Sequence, residues 1–595
     1  MGTIDKDALK QKYAEERAKR LRPDGNAQYL QLKDQLAHYL DDPYTPVTER
    51  APKTDHVTVA FIGGGFAGLV TGARLKEQGI DDVRIIEKGG DFGGTWYWNR
   101  YPGAQCDTAS FVYMPLLEET GHMPTEKYAH APEILEHCRR IGKQFGLYDR
   151  ALFHTEVKDL TWDDDRSVWV VRTNRGDEFT AQFVGIGTGP LHVPKLPGIP
   201  GIQDFQGHSF HTSRWDYDFT GGTPEGAPME RLADKRVAII GTGATAVQCI
   251  PHLARDAGEL YVFQRTPSSV DVRANRPTDP DWFAEIATPG WQQRWLENFT
   301  ANQTMTLVEE DLVQDGWTDI ARRIRERVMS IQGEITPDRV MEVFEASDFE
   351  KMEEIRARVD AVVEDPETAQ KLKAWYRQLC KRPCFHDEYL QSFNRPTVHL
   401  VDTDGKGVER ITERGVVVAG VEHEVDCIIY ASGFEVGTDY TQRTGFVVTG
   451  RGGERLSEHW AEGMRTFQGM QVHGFPNAFL VQLAQGANLI SNVPHNFVES
   501  GRTIAMLVAH ALEHGHRQIE VTQEAEDAWM ELLLTAPTGG VIGSADCTPG
   551  YYNNEGHPDG RNREWFLGYP AGAMAFFQHL ARWRSAGDWK GLTFR

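Results

Sequence analysis

The sequence has few cysteines, no excess of positive charge and no long apolar run, and each absence excludes a class of protein. The seven cysteines show no framework spacing, so we expect a reduced protein without disulfides. Acidic residues outnumber basic ones by 86 to 63, a formal net charge of −23, which argues against a nucleic-acid or anionic-membrane partner. No stretch approaches the roughly 20 apolar residues of a membrane span, and the charged N-terminus is unlike a signal or transit peptide. These features predict a cytoplasmic protein.

Two segments carry the strand, glycine turn and helix pattern of a dinucleotide-binding unit. In such a unit the first glycine makes the turn, the second lets the backbone approach a pyrophosphate, and the third position packs helix on strand. One such turn is weak evidence, whereas two in one chain support each other. The two strands with their turn residues are His56–Ile62 with Gly63, Gly65 and Gly68, and Arg236–Ile240 with Gly241, Gly243, Thr245 and Ala246.

The residues that follow the second strand of each unit have opposite charge. Glu87 lies 24 positions after Gly63, and Arg265 lies 24 positions after Gly241. A carboxylate there suits the two free hydroxyls of a ribose, whereas an arginine suits a 2′-phosphate. The first unit is therefore predicted to bind FAD or NAD and the second NADP. The alternative at this point is a duplicated scaffold with one inactive site.

Length and pattern predict an α/β protein with two Rossmann-like domains and a helical insertion, since single cores seldom exceed about 300 residues. The insertion is indicated by an apolar stripe through Ile320, Ile324, Val328 and Ile331. The predicted parts are an N-terminal helical extension (1–54), a discontinuous FAD domain (55–195 and 390–595), an NADP domain (196–271 and 375–389) and the helical insertion (272–374).

A loop rich in glycine and aromatic residues follows the first unit. It runs from Phe92 to Asp107 and includes Gly94, Thr95 and Trp96. Backbone that can come close, with aromatic walls that exclude water, suits a flat ring system. The alternative is a buried aromatic loop without a ligand.

A motif between the two units resembles that of a known family. Its residues match the pattern F-x-G-x-x-x-H-x-x-x-W-[P/D] of type I Baeyer–Villiger monooxygenases, and roughly residues 55 to 500 resemble that family. The Trp-Asp ending separates this motif from that of N-hydroxylating relatives. The matching residues are Phe205, Gly207, His211, Trp215 and Asp216.

The resemblance implies roles for particular residues. Arg382 would be the cation that stabilises the reacting anion, and Asp107 would be the acid that orients or modulates Arg382. Arg265, Thr266 and Lys381 would hold the 2′-phosphate of NADP. The FAD site would add Tyr113 to the residues named above, and the family motif would link the domains rather than catalyse.

The resemblance also implies the reaction. NADPH reduces FAD, O₂ adds to flavin C4a, and the resulting peroxide attacks a ketone to give an ester or lactone. The long N-terminal extension and the departures near Cys547–Gly556, where the family's loop Trp is missing, resemble a subgroup that accepts bulky or macrocyclic ketones. The predicted partners are therefore a small-molecule ketone and O₂; the oligomeric state is left open.

Other readings of the sequence are weaker. Cys380, Cys384 and His386 lack a second ligand pair of zinc-site spacing, so no metal is expected. Cys106 stands alone after the first turn, whereas a flavin disulfide reductase needs a redox pair. Two alternatives remain open: a flavin monooxygenase that oxidises nitrogen or sulfur, and an inactive FAD- and NADP-binding sensor.

Overall fold

The computed structural model describes most of the chain, in eight ranges. No helix in these ranges is long and apolar enough to cross a membrane. The described ranges are 4–304, 306, 308–436, 438, 440–487, 491–535, 545–558 and 563–595.

The first nucleotide-binding unit is built on a seven-stranded sheet, in which two parallel strands flank the helix Phe66–Glu77. A second helix, Val493–Glu513, packs on that helix, and a Cβ at Gly501 would lie 3.2 Å from the Thr71 backbone. Glycine at this position therefore permits the close approach. Along the sheet the order is Val447–Thr449, Val157–Asp163, Val168–Thr173, Glu178–Ile186, His56–Ile62 and Val83–Ile86, with Ala478–Leu480 paired to Glu178–Ile186.

The second unit is a five-stranded sheet whose strands are all parallel. Its glycine turn leads into the helix Ala244–Asp256. Both faces of such a sheet are covered, which is why its strands read as apolar runs. In order the strands are Val398–Asp402, Glu259–Gln264, Arg236–Ile240, Cys427–Tyr430 and His208–His211.

This topology corrects one predicted domain boundary. The FAD domain was expected to resume at residue 390, but Val398–Asp402 and Cys427–Tyr430 belong to the second sheet, next to Glu259–Gln264 and Arg236–Ile240. The chain rejoins the first sheet only at Val447–Thr449. An apolar strand does not indicate which of two buried parallel sheets it completes, so the sequence pattern alone could not place this boundary.

Within its described residues, the segment expected to be a helical insertion contains five helices. Ile320 and Ile324 are buried on the helix Gly316–Met329, whereas Val328 is half-buried and Ile331 lies beyond the helix end. The apolar stripe thus marks the core-facing side only over the first turns. The helices are Pro280–Ile286, Trp291–Gln303, Gly316–Met329, Pro337–Val362 and Pro366–Leu372.

The N-terminal extension begins with the helix Lys6–Ala18, whose first turn is capped by the Asp5 carboxylate accepting from the Ala8 N–H. Leu9 and Tyr13 are buried with Phe349 of the insertion. The chain then pairs Tyr29–Leu30 with Leu196–Pro197 at the entry to the second unit. The extension therefore packs across the part of the molecule predicted to bind NADP.

The expectation of no disulfides is wrong. Cys380 and Cys547 are bonded; their Cα atoms are 5.0 Å apart, and the two residues are 167 positions apart in the sequence. So long a separation forms no local pattern, and only the folded chain brings the two thiols together. Five cysteines remain free and buried: Cys106, Cys138, Cys249, Cys384 and Cys427.

Candidate active site

A single cavity of about 1460 Å³ runs from the first glycine turn to the second. The sequence-predicted cofactor and catalytic residues meet there, except Gly68 and Ala246, which face the packing between helix and strand. Those lining the cavity are Gly63, Gly65, Glu87, Gly94, Thr95, Trp96, Asp107, Tyr113, Gly241, Gly243, Thr245, Arg265, Thr266, Lys381 and Arg382.

The first turn has the geometry that its glycines predict. Gly63 has φ 108°, and a Cβ there would collide with the Gly187 carbonyl. A Cβ at Gly68 would collide with the Gly63 carbonyl, so helix and strand can touch only without a side chain. Gly65 ends the turn immediately before the helix, whose first residues, Phe66 and Ala67, line the cavity. The first N–H groups of a helix have no partner within the helix. This arrangement fits a pyrophosphate.

Glu87 closes this turn from the end of the second strand. Its Oε2 accepts the Gly64 N–H and its Oε1 accepts the Gly89 N–H, both at 2.6 Å. Burial raises the pKa of this carboxyl, and the two backbone donors oppose that shift. Each oxygen keeps a further lone pair, so the carboxylate can also accept from ribose hydroxyls.

The glycine and aromatic loop lies directly against the first turn. A Cβ at Gly94, where φ is 53°, would lie 2.7 Å from the Gly65 Cα. The Trp96 indole N–H donates to the Tyr113 hydroxyl at 3.1 Å, with the two rings edge to face. Backbone and aromatic edges therefore form one wall of the cavity, and this wall fits the flat ring system of FAD.

The second turn repeats this backbone but is more open. Gly241 has φ 116°, and a Cβ there would collide with the Ala431 carbonyl. Gly243 is exposed, and no heavy atom lies within 4 Å of the position that a Cβ would occupy there. Ala246, by contrast, is fully buried. The Thr242 hydroxyl donates to the Thr266 carbonyl at 2.7 Å, which holds the turn against the second strand end. The space over Gly243 fits the pyrophosphate of a second dinucleotide.

Arg382 and Asp107 form the central ion pair of the cavity. Arg382 Nη1 and Nη2 each donate to one Asp107 oxygen at 2.7 Å, and Nη1 also donates to the Pro383 carbonyl. Burial alone would lower the pKa of Arg382, but the Asp107 carboxylate raises it well above its ordinary value. The guanidinium is therefore a permanent cation, and about a third of its side chain stays exposed in the cavity.

Trp317 supports this pair, and sequence reasoning did not identify it. Its indole N–H donates to the Asp107 carbonyl at 3.0 Å, and its ring lies 5.4 Å from the Arg382 guanidinium carbon. The helix Gly316–Met329 places it, because the Asp315 side chain caps the first turn. The sequence signal for this helix is the capping residue Asp315 before an amphipathic segment. That signal predicts a helix, but it does not predict that Trp317 contacts Arg382, which lies more than 60 positions away in the sequence.

Arg265, Thr266 and Lys381 come together at the second turn. Arg265 Nη1 donates to the Gln28 side chain at 2.7 Å, and the Thr266 hydroxyl accepts from Arg20 at 3.1 Å. Burial, followed by repulsion from Arg265, lowers the pKa of Lys381 to about 8. Clustered cations of this kind lower the free energy of a bound phosphate.

The Phe205–Asp216 motif lies away from the cavity. His211 is fully buried, and burial lowers its pKa to about 3, so the ring is neutral. The Trp215 backbone N–H donates to the Tyr44 hydroxyl, which donates in turn to the Trp98 carbonyl of the first unit. Asp216 caps the following helix. None of the five motif residues lines the cavity, and their contacts connect the second sheet to the aromatic loop.

Comparison with known proteins identifies close relatives. A family model described as pyridine nucleotide-disulphide oxidoreductase matches residues 60–288. Neopentalenolactone D synthase of Streptomyces avermitilis is 51% identical over 100% of both chains. A Baeyer–Villiger monooxygenase of Streptomyces coelicolor is 49% identical, over 97% of this chain and 95% of its own.

A solved structure has the same fold over nearly the whole length. The polycyclic ketone monooxygenase from Thermothelomyces thermophila superposes with a TM-score of 0.90 and 38% identity, covering 99% of each chain. The likeness therefore includes the N-terminal extension and the C-terminal part, beyond the range of the family model.

Proposed function

The chain belongs to the Baeyer–Villiger monooxygenases, and from this membership we propose that it converts a bulky or polycyclic ketone to an ester or lactone. Enzymes of this family depend on FAD, and solved relatives hold FAD and NADP together. Here FAD would lie at the Gly63 turn and NADPH at the Gly241 turn. When bound, FAD reduced by NADPH supplies the activation of O₂.

The observation that carries the proposal is the Arg382–Asp107 pair in the cavity shared by the two turns. A guanidinium has five N–H donors. Two Arg382 donors go to Asp107 and one to the Pro383 carbonyl; among the described residues, no acceptor takes the remaining two. These two remaining donors can stabilise negative charge on oxygen during attack on a carbonyl.

Aromatic side chains line the cavity around this pair, although about a third of the Arg382 side chain is still exposed there. The Trp317 ring lies 5.4 Å from the guanidinium carbon, and Tyr113 of the first unit lines the same cavity. Bound cofactors and ketone would complete the exclusion of water. Water exclusion strengthens charge stabilisation and limits loss of activated oxygen as hydrogen peroxide. Both effects favour oxygen insertion over simple NADPH oxidation.

The proposed substrate class rests on the cavity and on the comparison with the polycyclic ketone monooxygenase. The cavity lining includes large apolar and amide side chains, which suit a large apolar ketone with one carbonyl. They include Phe299, Gln303, Leu483, Asn492 and Phe497.

The test measures NADPH consumption by FAD-loaded protein in air with ketones of increasing ring number, and identifies products by mass. We expect bulky ketones to stimulate consumption and to give products one oxygen heavier. Stimulation by amines or sulfides alone would favour the N- or S-oxidising alternative. A holoprotein that no substrate stimulates would favour the sensor. Fastest turnover of small cyclic ketones would contradict the substrate class.

Because the reaction consumes NADPH, we propose that the enzyme works in the cytoplasm. Thiol trapping in intact cells, followed by fractionation, would test this location and also show whether Cys380 and Cys547 are bonded there.

A further inference from the structure

A carboxylate stands among the cations at the second turn. Glu555, on the segment Cys547–Gly556, is 4% exposed. Its Oε1 lies 3.8 Å from Lys195 Nζ and its Oε2 lies 3.8 Å from Arg265 Nη2. Oε2 accepts no hydrogen bond from any residue in the described ranges. A buried carboxylate oxygen that is not hydrogen-bonded is costly, so this contact is a poor end state for Glu555.

Lys195 is the third cation of the cluster and carries no role in the proposed function. It is 4% exposed, and its ammonium lies 3.7 Å from the Tyr29 ring centroid and 3.2 Å from the Asn26 side-chain oxygen. Burial lowers its pKa, while Glu555 and then Glu435 raise it again. A lysine kept this deeply buried requires negative charge nearby.

The loop that carries Glu555 is fastened at this site by several contacts. Lys381 Nζ donates to the Pro549 carbonyl at 3.3 Å, and the Asn26 side chain donates to Asn554 at 2.7 Å. Asn554 and Glu555 have φ of 51° and 55°, a left-handed conformation that is strained for residues with side chains. All three cations thus contact residues 549–555 or lie beside them, and the loop backbone is held in a conformation it does not prefer.

A 2′-phosphate carries about two charges and three acceptor oxygens, whereas a carboxylate carries one charge and two. The three cations Lys195, Arg265 and Lys381 outnumber the two carboxylates beside them, Glu555 and Glu435. The surplus of positive charge would be neutralised better by a phosphate than by the Glu555 carboxylate alone. The same loop carries Tyr551 and Tyr552, which line the cavity near Arg382. Movement of Glu555 would consequently alter the wall beside the central ion pair.

We propose that Lys195 is a third ligand of the NADP 2′-phosphate and that Glu555 is the resident counter-ion, which the phosphate displaces together with its loop. This inference rests on the 2′-phosphate site at Arg265 and Lys381 in the proposed function. It assigns the N-terminal extension the task of holding the loop in place while the cofactor is absent.

Binding of 2′,5′-ADP and 5′-AMP to the FAD-loaded protein, measured by calorimetry, tests the assignment because the two ligands differ only in the 2′-phosphate. We expect Lys195→Met to weaken 2′,5′-ADP binding about tenfold and Glu555→Gln to tighten it about fivefold, with 5′-AMP binding unchanged in both. Lys53→Met and Glu413→Gln, which remove the same charges at exposed positions, should leave the binding of both ligands unchanged.

Arg265→Ala separates failure of this inference from failure of the site. If Arg265→Ala weakens 2′,5′-ADP binding but Lys195→Met does not, or if Glu555→Gln weakens it, the inference is overturned and the site stands. If Arg265→Ala has no effect, the site itself is wrong. Thermal unfolding and FAD content establish that each variant folds. If Lys195→Met does not fold, the isosteric Glu555→Gln variant still tests the inference.

Hydrogen–deuterium exchange of the peptide covering residues 545–558 reports displacement directly. We expect faster exchange with 2′,5′-ADP than with 5′-AMP in the wild-type protein, and no such difference in Lys195→Met. Equal or slower exchange with 2′,5′-ADP would show that the loop stays in place and would overturn the displacement.

Discussion

The two glycine turns have the same backbone but differ in what completes them. Gly63 and Gly241 have φ of 108° and 116°. Glu87, at the first turn, is 5% exposed and accepts both of its hydrogen bonds from its own unit. Arg265, at the second, keeps about a third of its side chain exposed, and its partners Gln28 and Glu555 come from opposite ends of the chain.

The difference separates two ways of binding a dinucleotide. A site whose residues all come from one unit suits a cofactor that stays bound through many catalytic cycles. A site assembled from distant segments suits a cofactor that must enter and leave, because those segments can part without unfolding a sheet. The aromatic loop adds to the first site alone, since Gly94 packs on Gly65. Four substitutions or conditions would break or sharpen this comparison.

The largest effect is expected at Arg382, which lies between the two turns. Arg382→Met removes the donors that we propose for the reacting oxygen, so ketone oxygenation should fall about 100- to 1000-fold. NADPH oxidation should persist and yield hydrogen peroxide, because both turns are intact. Product mass and peroxide assays check this. Retention of most oxygenation by Arg382→Met would show that the cation acts only in structure.

At the open turn, Arg265→Ala should raise the KM for NADPH about 10- to 150-fold, because a charge-assisted contact contributes about 1.5–3 kcal/mol. The kcat should change little, since Arg382 and Asp107 are not altered. Steady-state kinetics with NADPH and NADH measure the effect. Equal use of NADH and NADPH by the wild-type protein would contradict a 2′-phosphate site.

At the closed turn, Glu87→Gln should weaken FAD binding about tenfold, because an amide cannot accept from both Gly64 and Gly89 and leaves one donor unpaired. The KM for NADPH should stay the same once FAD is saturating. Flavin fluorescence titration checks the first expectation. A raised KM with unchanged FAD affinity would mean that the two units are assigned in the wrong order.

The smallest effect is expected from pH. Lys381 has a pKa lowered to about 8, so it is charged below that pH and loses its proton above it. Loss of the charge weakens phosphate binding, and the KM for NADPH should rise about fourfold between roughly pH 7 and 8.5. Lys381→Arg, whose charge is permanent, should give a flatter profile. The same rise in Lys381→Arg would assign the titration to another group.

The sequence predicted the cavity's two ends but not how it is assembled. The turn glycines and the residues 24 positions later are local patterns with fixed geometry, so Glu87 and Arg265 could be placed in advance. Arg382 and Asp107 came from the family resemblance, because no spacing rule connects positions so far apart. Trp317 and Lys195 became visible only in the fold.

The two errors have the same origin. The Cys380–Cys547 bond and the strands Val398–Asp402 and Cys427–Tyr430 depend on which distant segments meet. Local pattern reports whether a segment is strand or helix and whether it is buried, but not its partner. Pairing is decided by tertiary packing.

The interrupted first sheet has a consequence for synthesis on the ribosome. The second sheet uses strands from His208–His211 to Cys427–Tyr430 and can close once that stretch has emerged. The first sheet cannot be completed until Val447–Thr449 and Ala478–Leu480 have been synthesised. Its helix Phe66–Glu77 stays uncovered until the helix Val493–Glu513 has followed. Until then the nascent chain carries an exposed apolar face, and it is in this interval that the chain has most need of a chaperone.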